Sequence, residues 1–195
     1  MPRRPEHSRF EWIPRFPKPY ADAVARLRVP SGFLMVAAFA WFSRPVPHSL
    51  LLGLPVSLLG LALRAWAAGC LAKNQALATR GPYAYTRNPL YLGTLIVAAG
   101  LAVSSRRVGL GLLLAAVFVL VYLPAIQLEE QHLRKLFPAY PFYATSVPAL
   151  WPRLPSGPVW NGPPFEWRLY WKNREYQAAA GLAVGMLFLL WKALR

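Results

Sequence analysis

Residues 108–128 form the longest uncharged apolar run of the chain, 21 residues in length. As a helix rising about 1.5 Å per residue, this run measures roughly 31 Å, which is the thickness of the hydrocarbon core of a bilayer. Four further apolar runs, at 31–42, 46–72, 90–105 and 178–194, are shorter or interrupted by Pro and charged residues. The pattern predicts an all-α fold, a polytopic membrane helical bundle with about five transmembrane helices.

The composition supports a membrane protein and disfavours other classes. Hydrophobic residues make up 56% of the chain and charged residues 15%, whereas about 25% charged is typical of soluble domains. The net charge of +15 could indicate nucleic acid as a partner, but the apolar content favours membrane lipids and argues for no nucleic acid. A single cysteine, Cys70, and three scattered His residues exclude a disulfide framework and lead us to expect no metal site.

The distribution of Lys and Arg predicts the topology. When five spans alternate, 17 of the 22 basic residues lie on one side of the membrane and five on the other. The larger set is expected to face the cytoplasm, with the termini on opposite sides of a bacterial inner membrane. The two longest connections, 71–89 and 129–176, then lie on the cytoplasmic side, where we expect any chemistry that uses a soluble cofactor. We expect one integral membrane domain over 1–195, with a basic cytoplasmic arm (1–30), a central core (46–152) and a basic segment with the last membrane helix (153–195).

Residues 75–93 combine helix-start signals with aromatic side chains. Asn88 is a candidate N-cap, and Pro89 suits the first turn of the helix that follows. One interpretation is a capped membrane helix with interfacial tyrosines. The other is a cofactor pocket, because a helix N-terminus offers amide donors to an anion and the rings of Tyr83 and Tyr91 can hold a cation such as a sulfonium.

The adjacent acids Glu129 and Glu130 come directly after the long apolar run. One interpretation is a helix that leaves the lipid and becomes solvated, with Glu130 and Arg134 paired at i and i+4. The other is a carboxylate at the membrane boundary that faces the bundle, where charge is usually functional. Adjacent helical residues point about 100° apart, so the two carboxylates are not expected to face one ligand equally.

Two separated motifs make the chain similar to a known family. The string Gly81-Pro82-Tyr83, followed by 87–93 (Arg-Asn-Pro-Leu-Tyr-Leu-Gly), resembles the cofactor motif of the isoprenylcysteine carboxyl methyltransferase family, whose general form the phospholipid methyltransferases share. The second motif follows the family order with Glu129-Glu130, Leu133, Phe137, Tyr140, Tyr143 and Val147-Pro148. The resemblance covers roughly 50–152. The chain departs from the pattern at Asn88, where the family commonly has His, and at Ala125, where eukaryotic members carry an Arg that touches substrate.

The resemblance implies a bacterial-type integral membrane methyltransferase that uses S-adenosylmethionine and acts on a lipophilic or lipid substrate. Carried over by position, the cofactor-binding residues would be Gln75, Leu77, Tyr83, Asn88, Pro89, Tyr91 and Glu129. Residues that could contact substrate or support the pocket are Arg87, Glu130 and Arg134. No catalytic residue is assigned, because methyl transfer needs positioning rather than a protein nucleophile. The alternatives are an NADPH-dependent membrane reductase of the steroid or sterol type and a non-catalytic membrane scaffold.

Overall fold

The computed structural model of the chain describes residues 16–154 and 162–195. Within these residues the secondary structure is helical and contains no β-strand, which confirms the predicted all-α class. The helices are α1 (Lys18–Phe42), α2 (Pro47–Gly69), α3 (Pro89–Ser105), α4 (Val108–Val117), α5 (Leu123–Leu136), α6 (Tyr140–Ser146), α7 (Trp167–Lys172) and α8 (Tyr176–Ala193). A 3₁₀ turn, Gly81–Ala84, precedes α3, and a π-helical turn, Phe118–Tyr122, joins α4 to α5.

Three helical stretches are long and apolar enough to cross a membrane: Pro47–Gly69, Val108–Leu136 and Tyr176–Ala193. The other two predicted spans are shorter apolar helices, Pro30–Phe42 and Pro89–Ser105. The first of these is only the second half of α1, which begins at Lys18 and continues through Pro30. The helix therefore extends well into the segment that the sequence assigned to a basic arm.

The central pair of the bundle is α2 packed antiparallel against α3. A Cβ atom added at Gly60 of α2 would lie 2.6 Å from the carbonyl oxygen of Gly93, so only glycine allows this approach. Further along the pair, the Ser49 hydroxyl donates to the carbonyl of Ser104 at 2.9 Å. Small residues that bring backbones together and hydroxyls that bond across helices are typical of membrane helix packing. Because these contacts are spread along both helices, α3 lies beside α2 over the same depth of the bundle.

Contacts at the end of the bundle distant from the first motif show that the helices alternate in direction. The backbone N–H of Arg44, between α1 and α2, donates to the carbonyl of Ser105 at 2.9 Å. Lys192, in the last turn of α8, donates to the carbonyl of Ala40 in α1 at 2.8 Å. Helices α1, α3 and α8 therefore finish at this end, while α2 and α4 begin there. This arrangement agrees with five alternating apolar segments.

The π-helical turn Phe118–Tyr122 interrupts the long helix Val108–Leu136 just before Pro124. The N–H of Leu123 donates to the carbonyl of Phe118, five residues earlier. Pro124 has no N–H, so the carbonyl of Leu120 lacks its helical partner and instead accepts a 2.9 Å hydrogen bond from the Tyr20 hydroxyl of α1. The turn therefore attaches α1 to the long helix through a side chain.

The C-terminal helices are attached to the core at the end that holds the first motif. The Asn173 side chain donates to the carbonyls of Ala68 and Leu71, at 2.9 Å each, and so caps the end of α2. Glu175, just before α8, forms a two-point ion pair with Arg64 of α2, in which Nη2 lies 3.0 Å from Oε2. Residues after the second motif therefore complete the same bundle.

Candidate functional site

A cavity of about 300 Å³ lies where the two sequence motifs meet. Its walls come from residues 71–78, the 3₁₀ turn, the first turn of α3, the last turns of α5, and α6. This volume is at the lower end of the range for small-molecule sites. The structure thus provides one concave site at the end of the bundle where most of the connecting residues lie.

Most of the residues predicted to bind the cofactor line this cavity: Leu77, Tyr83, Asn88, Pro89, Tyr91 and Glu129, together with Arg87. Gln75 is exposed and is absent from the cavity wall, although its neighbours Asn74 and Ala76 belong to the wall. Glu130 lies behind the wall, and Arg134 lies on the exposed face of α5. Contact of these residues with a cofactor stays a prediction.

Asn88 occupies the predicted N-cap position of α3, but its side chain makes no capping hydrogen bond. Instead Nδ2 donates to the carbonyl of Ala149 at 2.9 Å and to Oε1 of Glu130 at 3.3 Å. Its backbone N–H donates to the hydroxyl of Thr86 at 3.3 Å. The expectation of a side-chain cap was wrong because two buried acceptors, Glu130 and the carbonyl of Ala149, require a donor. Leaving buried acceptors unpaired would destabilise the fold by more free energy than the loss of a cap.

Arg87 joins the first motif to the second. Its side chain is almost completely buried, with Nε 3.1 Å from Oε1 of Glu130 and Nη1 donating to the carbonyl of Ala144 at 2.9 Å. Its backbone N–H donates to the carbonyl of Pro148 at 2.8 Å. Glu130 is therefore buried and faces the bundle, as the second interpretation of the paired acids proposed. The guanidinium of Arg134 lies 5.9 Å from the centre of the Tyr140 ring.

Glu129 and Glu130 point to different places, as their adjacent positions predicted. Glu129 lines the cavity, and its Oε2 accepts a 2.9 Å hydrogen bond from the Tyr91 hydroxyl. Tyr91 is buried in the first turn of α3, and its ring meets the edge of Tyr122 at a centroid distance of 6.1 Å. The carboxylate of Glu129 is thus positioned at the cavity by a neighbouring side chain.

Tyr83, Tyr140 and Tyr143 also line the cavity. Burial raises the pKa of each of these three phenols, so all three are neutral near pH 7. The Tyr143 hydroxyl donates to the carbonyl of Tyr83 at 2.6 Å. The Tyr140 hydroxyl and Nη2 of Arg87 are buried and have no hydrogen-bond partner within 16–154 and 162–195. Buried polar atoms normally have partners, so this wall suits a ligand with polar groups.

Several wall residues were not assigned to the site from the sequence. Phe137, Tyr140 and Tyr143 belong to the second motif, but the spacing alone did not show that they face the first. His132 lies one helical turn after Glu129, so helical spacing could have indicated it. Lys73 and Asn74 precede both motifs and carried no signal. The part of the chain that the structure describes has no group of three or more His, Cys, Asp or Glu residues placed to hold a metal ion.

The central part of the chain is similar to one protein family and to two curated proteins. Residues 50–139 match the phospholipid methyltransferase family. The cobalt-zinc-cadmium resistance protein CzcN of Cupriavidus metallidurans is 36% identical over 107 residues, which is 52% of this chain and 50% of that protein. The nickel-cobalt-cadmium resistance protein NccN of Alcaligenes xylosoxydans xylosoxydans is 33% identical over 116 residues, 58% and 53% of the two chains.

The chain spans about half the length of the curated relatives that it matches. No solved structure matches it. The matched segment supplies every residue of the cavity wall except Tyr140 and Tyr143. The resemblance drawn from the two motifs is therefore confirmed over residues 50–139, which match the phospholipid methyltransferase family.

Proposed function

We propose that the chain is an S-adenosylmethionine-dependent membrane methyltransferase that acts on a lipophilic acceptor. The family match supports methyl transfer as the reaction class. The observation that carries the proposal is the composition of the cavity wall, where the rings of Tyr83, Tyr91, Tyr140 and Tyr143 surround a site beside the Glu129 carboxylate. Aromatic faces and a carboxylate together favour an organic cation over an anion.

The wall fits the charged groups of this cofactor, which are a sulfonium and an amino acid. S-adenosylmethionine supplies an electrophilic methyl group on a sulfonium centre and also carries an amino acid group. Glu129 can attract positive charge, while Lys73 and the unpaired Nη2 of Arg87 can attract a carboxylate. The unpaired Tyr140 hydroxyl provides a further polar contact.

The residues of this chain contribute mainly by positioning. The Tyr91 hydroxyl holds the Glu129 carboxylate at the cavity, and the Arg87–Glu130 pair holds the motifs together behind it. Asn88 uses its amide hydrogens on Ala149 and Glu130, so it acts as a support rather than as a proton acceptor. Correct orientation of two reactants can account for several orders of magnitude in rate.

The cavity favours this proposal over a reductase that uses NADPH. That cofactor carries three phosphate groups and requires a dense set of basic side chains. The basic residues of the described wall are Lys73, Arg87 and His132, and Arg87 is already paired with Glu130. A non-catalytic scaffold has no need for a concave wall that keeps two buried polar atoms unpaired.

We further propose that the cavity faces the cytoplasm of a bacterial inner membrane. The support is the uneven distribution of Lys and Arg, of which 17 of 22 lie at the cavity end in the five-span arrangement. Reporter fusions at each terminus test this topology. We expect a cytoplasmic signal at the N-terminus and a signal from the opposite side at the C-terminus. Two cytoplasmic termini would contradict five alternating spans.

Substitutions at Tyr91 test the aromatic wall. We expect Tyr91→Phe to keep most of the affinity for S-adenosylmethionine, because the ring remains. Tyr91→Leu removes the aromatic face and should weaken S-adenosylmethionine binding by roughly twofold to thirtyfold, the range of a cation–π contact. Tyr85→Leu is the matched control, since Tyr85 lies nearby but outside the wall. Unchanged affinity in both Tyr91 variants, measured by calorimetry in detergent, would remove Tyr91 from the site.

The methyl-transfer activity itself is tested with labelled S-adenosylmethionine and a membrane lipid extract. The purified protein should transfer the label to a lipophilic species that mass spectrometry identifies. Glu129→Gln should give much less product under the same conditions. If the protein binds the donor but labels no species in an extract of its own host, the lipophilic acceptor is wrong.

A further inference from the structure

The short helix α7 lies between two helices that can span the membrane. Both α2 and α8 are long and apolar enough to cross a bilayer. The backbone N–H of Glu166, just before α7, donates to the carbonyl of Gly69, the last residue of α2, at 2.8 Å. The chain then enters α8 at Tyr176. Because α7 lies beside the end of one span and directly before the start of another, it lies at the boundary between the hydrocarbon core and the headgroups.

Large aromatic side chains form a row on the outer surface of α7. Trp167 and Trp171 are one helical turn apart and therefore share one face, and they are 66% and 60% exposed. Ring contacts run from Phe165 through Trp167, Tyr170 and Trp171 to Tyr176, with centroid distances of 5.0–5.8 Å. Exposed tryptophans and tyrosines of this kind are typical of the membrane interface, where one end of each ring is apolar and the other wet.

Basic side chains lie on the neighbouring face of the same helix. Arg168 and Lys172 are also one turn apart and are rotated by about 100° from the tryptophans. Arg174 follows the helix, and all three side chains are exposed. Among the described residues, none of these three cations forms an ion pair. The exposed acid of the segment is Glu166, since Glu175 is buried in its ion pair with α2. The surface therefore carries an excess of positive charge.

The protein holds this surface in a fixed position. Leu169 is the buried residue of α7. Asn173 caps the end of α2 through the carbonyls of Ala68 and Leu71, and Glu175 pairs with α2 one turn further from its end. The aromatic row and the basic side chains are therefore presented to the bilayer by a short helix attached on both sides, not by a free loop.

We propose that α7 and Arg174 form a binding surface for an anionic phospholipid in the leaflet on the cavity side. The lipid phosphate lies against Arg168 and Lys172, and its acyl chains lie beside Trp167 and Trp171. The positive charge favours an anionic lipid over a zwitterionic one, and the aromatic row favours a lipid over a soluble anion. These residues lie outside 50–139, so the family match does not account for the surface. The inference is independent of the proposed methyl transfer.

The test is a titration of the detergent-solubilised protein with short-chain phosphatidylglycerol, and separately with phosphatidylcholine of the same chain length, followed by native mass spectrometry. We expect saturable binding that is tighter for phosphatidylglycerol. The double variant Arg168→Gln with Lys172→Gln should lower that affinity by roughly tenfold to thirtyfold, the effect expected of two basic contacts. The affinity for S-adenosylhomocysteine should not change.

The double variant Arg44→Gln with Arg106→Gln is the matched control. Both residues are exposed, both lie at the opposite end of the bundle, and the change in net charge is the same. This variant should bind phosphatidylglycerol as the wild type does. Equal binding of the two lipids, equal losses in the two double variants, or equally tight binding of water-soluble glycerol phosphate would overturn the inference. If phosphatidylglycerol binds as expected but S-adenosylhomocysteine does not, the proposed function fails and the lipid surface stands.

The depth of α7 is measured with a nitroxide attached at Trp171→Cys in a Cys70→Ala background, in nanodiscs that contain phosphatidylglycerol. Cys70 is the single cysteine of the chain, so the label has one site. Collisions with oxygen and with a water-soluble nickel chelate should place the nitroxide at the junction of headgroups and acyl chains. Lys135→Cys, exposed in the last turn of α5, is the aqueous reference. A nitroxide at 171 that meets the nickel chelate as often as the one at 135 would contradict the proposed surface.

Discussion

Glu129→Gln is expected to weaken S-adenosylhomocysteine binding by roughly tenfold to a hundredfold with little change in melting temperature. The Glu129 carboxylate lines the cavity and has a single described side-chain partner, the Tyr91 hydroxyl. Loss of a hydrogen bond to a charged group changes binding by about that factor. Because Glu129 is exposed, its neutral variant leaves no buried group unpaired. Calorimetry and thermal melting on the same preparation measure both quantities.

Glu130→Gln is the matched control and should behave in the opposite way. Glu130 is buried, accepts from Asn88 and pairs with Arg87, so its substitution should lower the melting temperature and affect affinity less. Small and equal effects of both substitutions on binding and melting would contradict this division of roles and favour a solvated helix end.

Arg87→Met should destabilise the protein by about 3–5 kcal/mol, the usual effect of removing one partner of a buried ion pair. The substitution leaves the Glu130 carboxylate buried without its cation and removes the donor to the Ala144 carbonyl. Denaturation followed by helical circular dichroism measures the loss. Arg80→Met is the control, since Arg80 is exposed and outside the cavity wall.

The double variant Arg87→Met with Glu130→Leu separates charge from packing. Replacing both partners with apolar groups removes the unpaired charge, so most of the lost stability should return. If the single Arg87→Met variant is as stable as the wild type, the pair does not hold the motifs together. If the double variant is no better than the single one, the role of Arg87 is its bond to Ala144 rather than its charge.

The sequence predicted those parts of the fold that depend on local composition. Apolar runs such as 108–128 predict helices because lipid requires every backbone hydrogen bond to be made within the segment. Connections rich in Lys and Arg alternate with connections poor in them, and this alternation predicted the direction of each helix. The contact of Lys192 with Ala40 agrees with it, because α1 and α8 end on the same side. Seven residues that the sequence assigned to the site line the cavity, because most of them lie on one short local segment.

Features that depend on distant partners could not be predicted from spacing. Asn88 is a good N-cap residue in isolation, but a carboxylate 42 positions away and the carbonyl of Ala149 take its amide hydrogens. The π-helical turn follows from Pro124, yet its partner is Tyr20, which lies 100 positions away from Leu120. A small apolar cavity lined by Gly32 of α1, Ala98 of α3 and Val117 of α4 requires α1, which lies outside the matched residues, to pack against α3 and α4.

Calorimetric titration of the purified wild-type protein with S-adenosylhomocysteine, and separately with NADPH, distinguishes a methyltransferase from a reductase. The tyrosine wall, the Glu129 carboxylate and the few basic residues of the cavity predict that S-adenosylhomocysteine binds one molecule per chain and that NADPH does not bind. Glu129→Gln should weaken that binding in the same experiment. Binding of NADPH, or no binding of S-adenosylhomocysteine by folded protein, would contradict the proposed methyltransferase function.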